Sequence, residues 1–150
     1  MAVCLAVSAL SVSCYDHEDT IFSDYYVCIK DEGGASSGVV SRTSNNFVTT
    51  YYIYMTAPLS DHDISVTYEM EIGDGLQEGV DFRVQSTTMS PIVFEPGTTR
   101  MPVRIVWLRH ELDPEADNTL TIRLTSCSEG YAIGYPGPNH RFSAYTVTKQ

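Results

Sequence analysis

From Asp24 onward the apolar and polar positions of this chain repeat every second residue, not every third or fourth. That period marks strands with one buried face, because successive side chains leave a pleated backbone on opposite sides. The first such run is DYYVCI, at residues 24–29. In FVTTYYIYM, Phe47, Thr49, Tyr51, Ile53 and Met55 share one face, and Val48, Thr50, Tyr52 and Tyr54 share the other. ISVTYEMEI alternates most cleanly: Ile64, Val66, Tyr68, Met70 and Ile72 point inward, and Ser65, Thr67, Glu69 and Glu71 outward. PIVFEPG predicts a short strand closed by a turn at Pro96-Gly97. RMPVRIVWL places Met101, Val103, Ile105 and Trp107 on one face and Arg104 on the other. Pro102 cannot donate to a ladder, so an edge or a bulge is expected there. NTLTIRLTS sets Leu120, Ile122 and Leu124 against Thr121, Arg123 and Thr125, and HRFSAYTVT closes the chain. Gly, Ser, Asn and Pro mark KDEGGASSGVVSRTSNN, APLSDHD and GDGLQEG as connections. Only HELDPEAD has room for a helical turn, and Pro114 limits it. Seven short strands with turn signals between them predict one all-β domain over residues 21–150, an antiparallel β-sandwich.

The opening MAVCLAVSALSVSC follows a different rule. Ala2–Val12 is too short to cross a hydrocarbon core as a helix, which takes roughly 20 apolar residues. Its Ala and Ser content suits a strand poorly, and no N-cap opens it as a helix. It fits the apolar region of a secretory signal, with small residues before the cleavage point. The cysteine at the boundary makes it resemble a bacterial lipoprotein signal, although Ser11 stands where such signals commonly carry Leu. On this reading residues 1–13 are removed and Cys14 carries the lipid, with each buried CH2 adding about 0.8 kcal/mol to the anchor. Residues 14–20, with Asp16, Glu18 and Asp19, form an acidic tether. That tract resembles the surface-export signal of Bacteroidetes lipoproteins. The expected location is the outer membrane, lipid-anchored and facing outward.

Charge and cysteines then narrow the partners. The net charge is −10, and every acidic residue lies at or after Asp16. Nucleic acid and anionic lipid headgroups both ask for a basic footprint, so neither is expected as a partner, and membrane contact is through the lipid alone. Of the four cysteines, Cys4 leaves with the signal and Cys14 is lipidated. Cys28 and Cys127 remain, either joined as a disulfide in an exported chain or left as two separate thiols. Neither has the spacing of a zinc site or a redox pair.

EGVDF, IVFEPGTTRMPVRIV, ELDPEAD and TLTIRLTS follow one another in order. This succession resembles the small lipoproteins of the DUF4843 type found in gut Bacteroidetes, and the Calx-β kind of immunoglobulin-like domain. The resemblance covers most of Tyr25–Thr148 and is strongest over Glu78–Ser126. It implies an immunoglobulin-like sandwich in which Gly79 permits a turn, Phe82 drops into the core, and Pro96-Gly97 reverses the chain. It also implies an accessory to outer-membrane uptake of the starch-utilisation type, with a TonB-dependent transporter and its lipoprotein lid as partners. In Calx-β domains acidic loop residues ligate calcium. The acids of DHD and ELDPEAD are too sparse for that role to carry over.

No constellation of catalytic residues stands out. His62, His110 and His140 fall in connections, His17 in the tether, and there is no GxSxG elbow. Asp61-His62-Asp63 reads as a polar turn, because adjacent residues on a hairpin rarely converge on a metal. Neither a metal nor another cofactor is expected. The ten tyrosines are more suggestive. Tyr52 and Tyr54 lie two residues apart on an outward face, about 6.7 Å along the strand. Such rings can stack on sugars or anchor a protein; the plainer reading is that the GGASSGVVSRTSNN loop or a cross-strand neighbour covers them. Tyr131 and Tyr135 sit in EGYAIGYPGPNH, a Gly- and Pro-rich loop of the kind where binding residues collect. The expectation is a non-catalytic, surface-anchored lipoprotein that helps capture glycan or peptide nutrients. The alternative from another class is a structural or pilus-like adhesion subunit joined by strand pairing.

Overall fold

The computed structural model describes residues 25–41 and 46–150. The signal expected at 1–13, Cys14 and the tether at 14–20 lie outside the described residues.

Alternation decides the architecture. β1 (Tyr26–Lys30), β3 (Phe47–Thr56), β5 (Phe82–Val84), β7 (Arg100–Trp107) and β9 (Ala132–Ile133) form one sheet in the order β5-β7-β3-β1-β9. β2 (Ser37–Val40), β4 (Ile64–Ile72), β6 (Ile92–Phe94), β8 (Thr119–Cys127) and β10 (Ala144–Lys149) form the other, ordered β2-β10-β8-β4-β6. The inward residues of both sheets meet in one core. Ile53, Val103, Ile105, Leu120 and Ile122 are fully buried, and Trp107 with them. Fully burying each such side chain is worth about 1.5–3 kcal/mol. Buried aromatics keep a partner at the polar tip: Trp107 Nε1 donates to Thr49 Oγ1 at 2.8 Å, and the Tyr68 hydroxyl to the Thr88 carbonyl at 2.6 Å. Tyr51 and Tyr145 stack across the sheets at 4.5 Å. The chain is an all-β sandwich, as the alternation predicted.

Three short strands escaped the pattern. β2 lies within the segment read as a loop, and it pairs in parallel with β10, burying Val40. β5 follows the EGVD turn directly and adds to β7. β9 pairs in parallel with β1 across only two residues. The sandwich is therefore antiparallel in its body and parallel at two margins. HELDPEAD forms a turn, with the Ala116 amide on the Asp113 carbonyl, and no helix. Among the described residues the single helical turn falls at Ser86–Thr88, of the 3-10 kind.

Pro102 is not on an edge strand, yet the reason for expecting one holds locally. β5 ends opposite Ile105, short of Pro102. The Arg104 amide and carbonyl both turn toward the β5 side, bonding Thr88 Oγ1 and the Gln85 amide. Two residues away, Pro102 has its nitrogen facing the same way, past the end of β5, so the β3 ladder loses no donor. The Pro96-Gly97 turn forms as predicted: the Thr98 amide donates to the Glu95 carbonyl, with Gly97 at φ 80°.

Candidate functional site

The outward positions of β1, β3, β5 and β7 make one continuous face. They bring up Tyr26, Cys28 and Lys30, then Thr50, Tyr52 and Tyr54, then Arg83, Arg100 and Arg104. Register explains its organisation. Tyr52 lies opposite Lys30 on one side, and Tyr54 opposite Arg100 on the other. Long cationic side chains reach their diagonal neighbours in a sheet. The Lys30 ammonium accordingly rests 4.6 Å from the centre of the Tyr54 ring, and the Arg100 guanidinium 4.5 Å from that of Tyr52. Each contact is a cation–π pair.

Tyr52 and Tyr54 do share a half-buried outward face, and their ring centres are 6.2 Å apart. Their planes are tilted by 56°, however, so they do not form a flat platform. The GGASSGVV part of the loop does not cover them either, because β2 belongs to the opposite sheet. From the late loop, Tyr135 comes up beside Lys30 and packs on Tyr26 at 5.2 Å and on Phe142 at 4.6 Å. Tyr131 stands further along, edge-on to Tyr25 at 5.5 Å. Tyr52, Tyr54, Lys30, Tyr26 and Tyr135 thus form one strip, whereas Tyr131 packs against the core instead of joining it. The strip ends in an open trough of about 560 Å³ lined by Tyr25, Tyr26, Thr56, Pro58, Tyr135 and Pro136.

Lys30, Arg100 and Tyr26 were not singled out in the sequence as site residues. The cations were visible at outward parity, but nothing in one sequence says that β7 and β1 flank β3.

Both cysteines are free thiols. Cys28 sits opposite Tyr54 at outward parity, between Tyr26 and Lys30, and is buried, whereas Cys127 belongs to the other sheet. Burial pushes the Cys28 thiol up to about 11 despite nearby Lys30, so it is a poor nucleophile.

The titratable groups elsewhere are occupied with structure. His62 Nδ1 meets Asp61 on its own exposed turn at 2.8 Å, and Nε2 meets Glu129, from the turn after β8, at 3.2 Å. Ser60 Oγ approaches the same Nδ1 that Asp61 holds, so no hydroxyl-to-Nε2 relay forms. The Asp61 and Glu129 hydrogen bonds raise the His62 pKa. Among the described residues no three His, Cys, Asp or Glu side chains converge as metal ligands. In the acidic loops, Asp74 Oδ1 accepts the Asp117 amide, and Asp117 Oδ1 accepts from Thr119.

The most buried charges were missed in the sequence. Lys149 and Asp81 pair at 3.1 Å with side chains only 4% and 3% exposed. Lys149 also donates to the Asp81 and Leu108 carbonyls, and half-exposed His110 meets Asp81 Oδ1 at 3.0 Å. Burial works against the Asp81 carboxylate, but the Gln77 amide, Lys149 and His110 outweigh it and hold its pKa below the ordinary value. A signal existed: in AYTVTK, Lys149 falls at the parity of Tyr145 and Val147, the core face.

No family model matches the chain, and neither does any curated protein sequence. Among solved structures, the chain is similar to an apo-form Calx CBD1 domain, with a TM-score of 0.55 at 20% identity, covering 85% of this chain and 98% of that one. A CBD12 structure from CALX1.2 aligns with a TM-score of 0.54 at 20% identity, over 83% of this chain and 44% of that one. A Bacteroides ovatus protein of unknown function aligns with a TM-score of 0.56 at 10% identity, over 83% of this chain and 46% of that one. At these identities the likeness establishes the Calx-β-like, immunoglobulin-like fold and nothing finer.

Proposed function

We propose that the chain is a non-catalytic lipoprotein of the DUF4843 type, held at the outer membrane through Cys14. It works by contact: its aromatic and cationic sheet face assists the capture of nutrients by a TonB-dependent transporter and its lipoprotein lid. The observation that carries this reading is the face itself. A whole sheet surface presents rings and cations in sequence, while the titratable clusters elsewhere are taken up in turns and a buried ion pair. The similarity to a Bacteroides protein is consistent with the setting. Eleven peptide steps separate Cys14 from Tyr25, a span of at most about 40 Å, so the trough end of the strip stays near the anchor. Tethering of that kind raises effective concentration to roughly the mM range.

The structural-subunit alternative gains no support from the sheet margins. Its edge strands β2, β5, β6 and β9 are two to four residues long, and β10 is flanked on both sides. Short edges discourage strand addition. The test is a pull-down of the tagged, lipidated chain from intact outer membranes, with mass spectrometry of its N-terminus. The expected result is a lipidated peptide beginning at Cys14 and co-purification of the transporter and lid. A mature chain that keeps Ala2–Ser13, or recovery only of itself in high-order assemblies, would overturn the proposal.

A further inference from the structure

The two sheets carry charge very differently. No Asp or Glu occurs in any of the five strands of the β5-β7-β3-β1-β9 sheet, which hold Lys30, Arg83, Arg100 and Arg104. Four of the nine Lys and Arg thus share one outer face on a chain with nineteen acidic residues. None of the four is ion-paired to a carboxylate among the described residues, whereas Arg123 on the other sheet pairs bidentately with Glu71. The opposite outer face carries Glu69 and Glu71 among threonines.

We propose that the β7-β3-β1 face binds an acidic polysaccharide, with sugar rings against Tyr52, Tyr54 and Tyr135 and sugar carboxylates on Arg100 and Lys30. The inference rests on the contact reading above and names its ligand class. The Arg100 guanidinium lies over the Tyr52 ring at 4.5 Å and is paired to no carboxylate among the described residues, and its planar fork of donors suits a sugar carboxylate in bidentate fashion. Arg104 and Arg83 extend the positive row along β7 and β5. Aromatic rings offer apolar area to the faces of sugars. The 56° tilt between Tyr52 and Tyr54 fits a polymer whose successive rings turn relative to one another. An acidic peptide would match the cations, but it has no use for an alternating row of rings. The overall negative charge does not forbid the complex, because charges more than about 8 Å away are largely screened at physiological salt.

Isothermal titration of the protein against four soluble polymers tests this: polygalacturonate, dextran, poly-glutamate and oligothymidylate. Polygalacturonate is expected to bind most tightly and to weaken as salt rises. Arg100→Gln and Lys30→Gln should each reduce its affinity about ten- to a hundredfold, the range of one charge-assisted hydrogen bond. Tyr54→Ala should reduce it as well, and circular dichroism of each variant checks that the fold is kept. Equal affinity for any of the other three polymers, no binding of polygalacturonate, or binding unchanged in the variants would overturn the proposal. The same variants in the outer-membrane pull-down separate the two levels. Transporter recovered without polygalacturonate binding removes the acidic glycan and leaves the anchored contact module standing.

Discussion

Replacing Lys149 with Met tests the most heavily buried electrostatic contact in the fold. The ammonium sits 3.1 Å from Asp81 Oδ1, and both side chains are nearly inaccessible. Met fills most of the same volume, so the loss is one of charge rather than packing. It strands the Asp81 carboxylate with only the Gln77 amide and His110 as partners. Breaking a buried pair from one side costs about 3–5 kcal/mol. Unfolding entropy of about 2.1 cal/mol/K per residue, over a domain of roughly 125 residues, converts that to a fall in Tm of roughly 11–19 °C. Trp107 is the single tryptophan and is fully buried, so its fluorescence reports unfolding in urea directly. The paired change Asp81→Leu with Lys149→Met removes both charges and should recover most of the loss, because a buried ion pair and its apolar replacement are often near equal. A loss below about 1 kcal/mol for Lys149→Met, the value of a surface pair, would refute the reasoning. So would a double variant no more stable than the single one.

Acid titration probes the same cluster. Asp81 is held below its ordinary pKa in the folded state, so its contribution is complete above the unfolded carboxyl value near 3.9 and drains away as pH falls through the folded value. Asp81→Asn should remove that share of the acid sensitivity measured by Trp107 fluorescence, and an unchanged acid profile would count against it. Gly97→Ala meets no neighbouring atom but must hold φ at 80°, so a loss of about 1–2 kcal/mol is expected in urea melts and a neutral result would reject the turn assignment. Gly73→Ala would place its Cβ 2.2 Å from the Asp117 carbonyl oxygen, a backbone clash expected to cost about 1–3 kcal/mol. In a chain starting after Cys14, a thiol reagent at pH 8 should modify Cys127 and spare Cys28 until denaturant is added; rapid labelling of both in the native protein would contradict the burial of Cys28.

The body of the fold was legible because a one-sided strand must alternate. Ile53, Val66, Ile105 and Ile122 announce their burial by parity alone, and so does Phe82 after its turn. What parity misses is pairing. β2 and β9 are only four and two residues long, too short to show a period, and they form because β10 and β1 already offer open edges. The site was half legible for the same reason. Tyr52 and Tyr54 declare their side of β3, but Lys30 and Arg100 become part of the site only through the β1–β3 and β3–β7 registers. Tyr135 joins through a loop whose path no local pattern specifies. Lys149 was legible and passed over: a lysine at core parity on a last strand asks for a buried acid, and Asp81 in EGVDF is that acid.

Net charge describes the whole chain, whereas a partner meets one face of it. A total of −10 argues against anionic partners only if the charge is spread evenly. Here Lys149 is spent inside the core and Arg123 is matched by Glu71, while the acids gather in turns and on the second sheet. The strands of the first sheet are left with four cations and no acid at all. Over the few ångströms across which a bound group feels its surroundings, that face is basic whatever the total says.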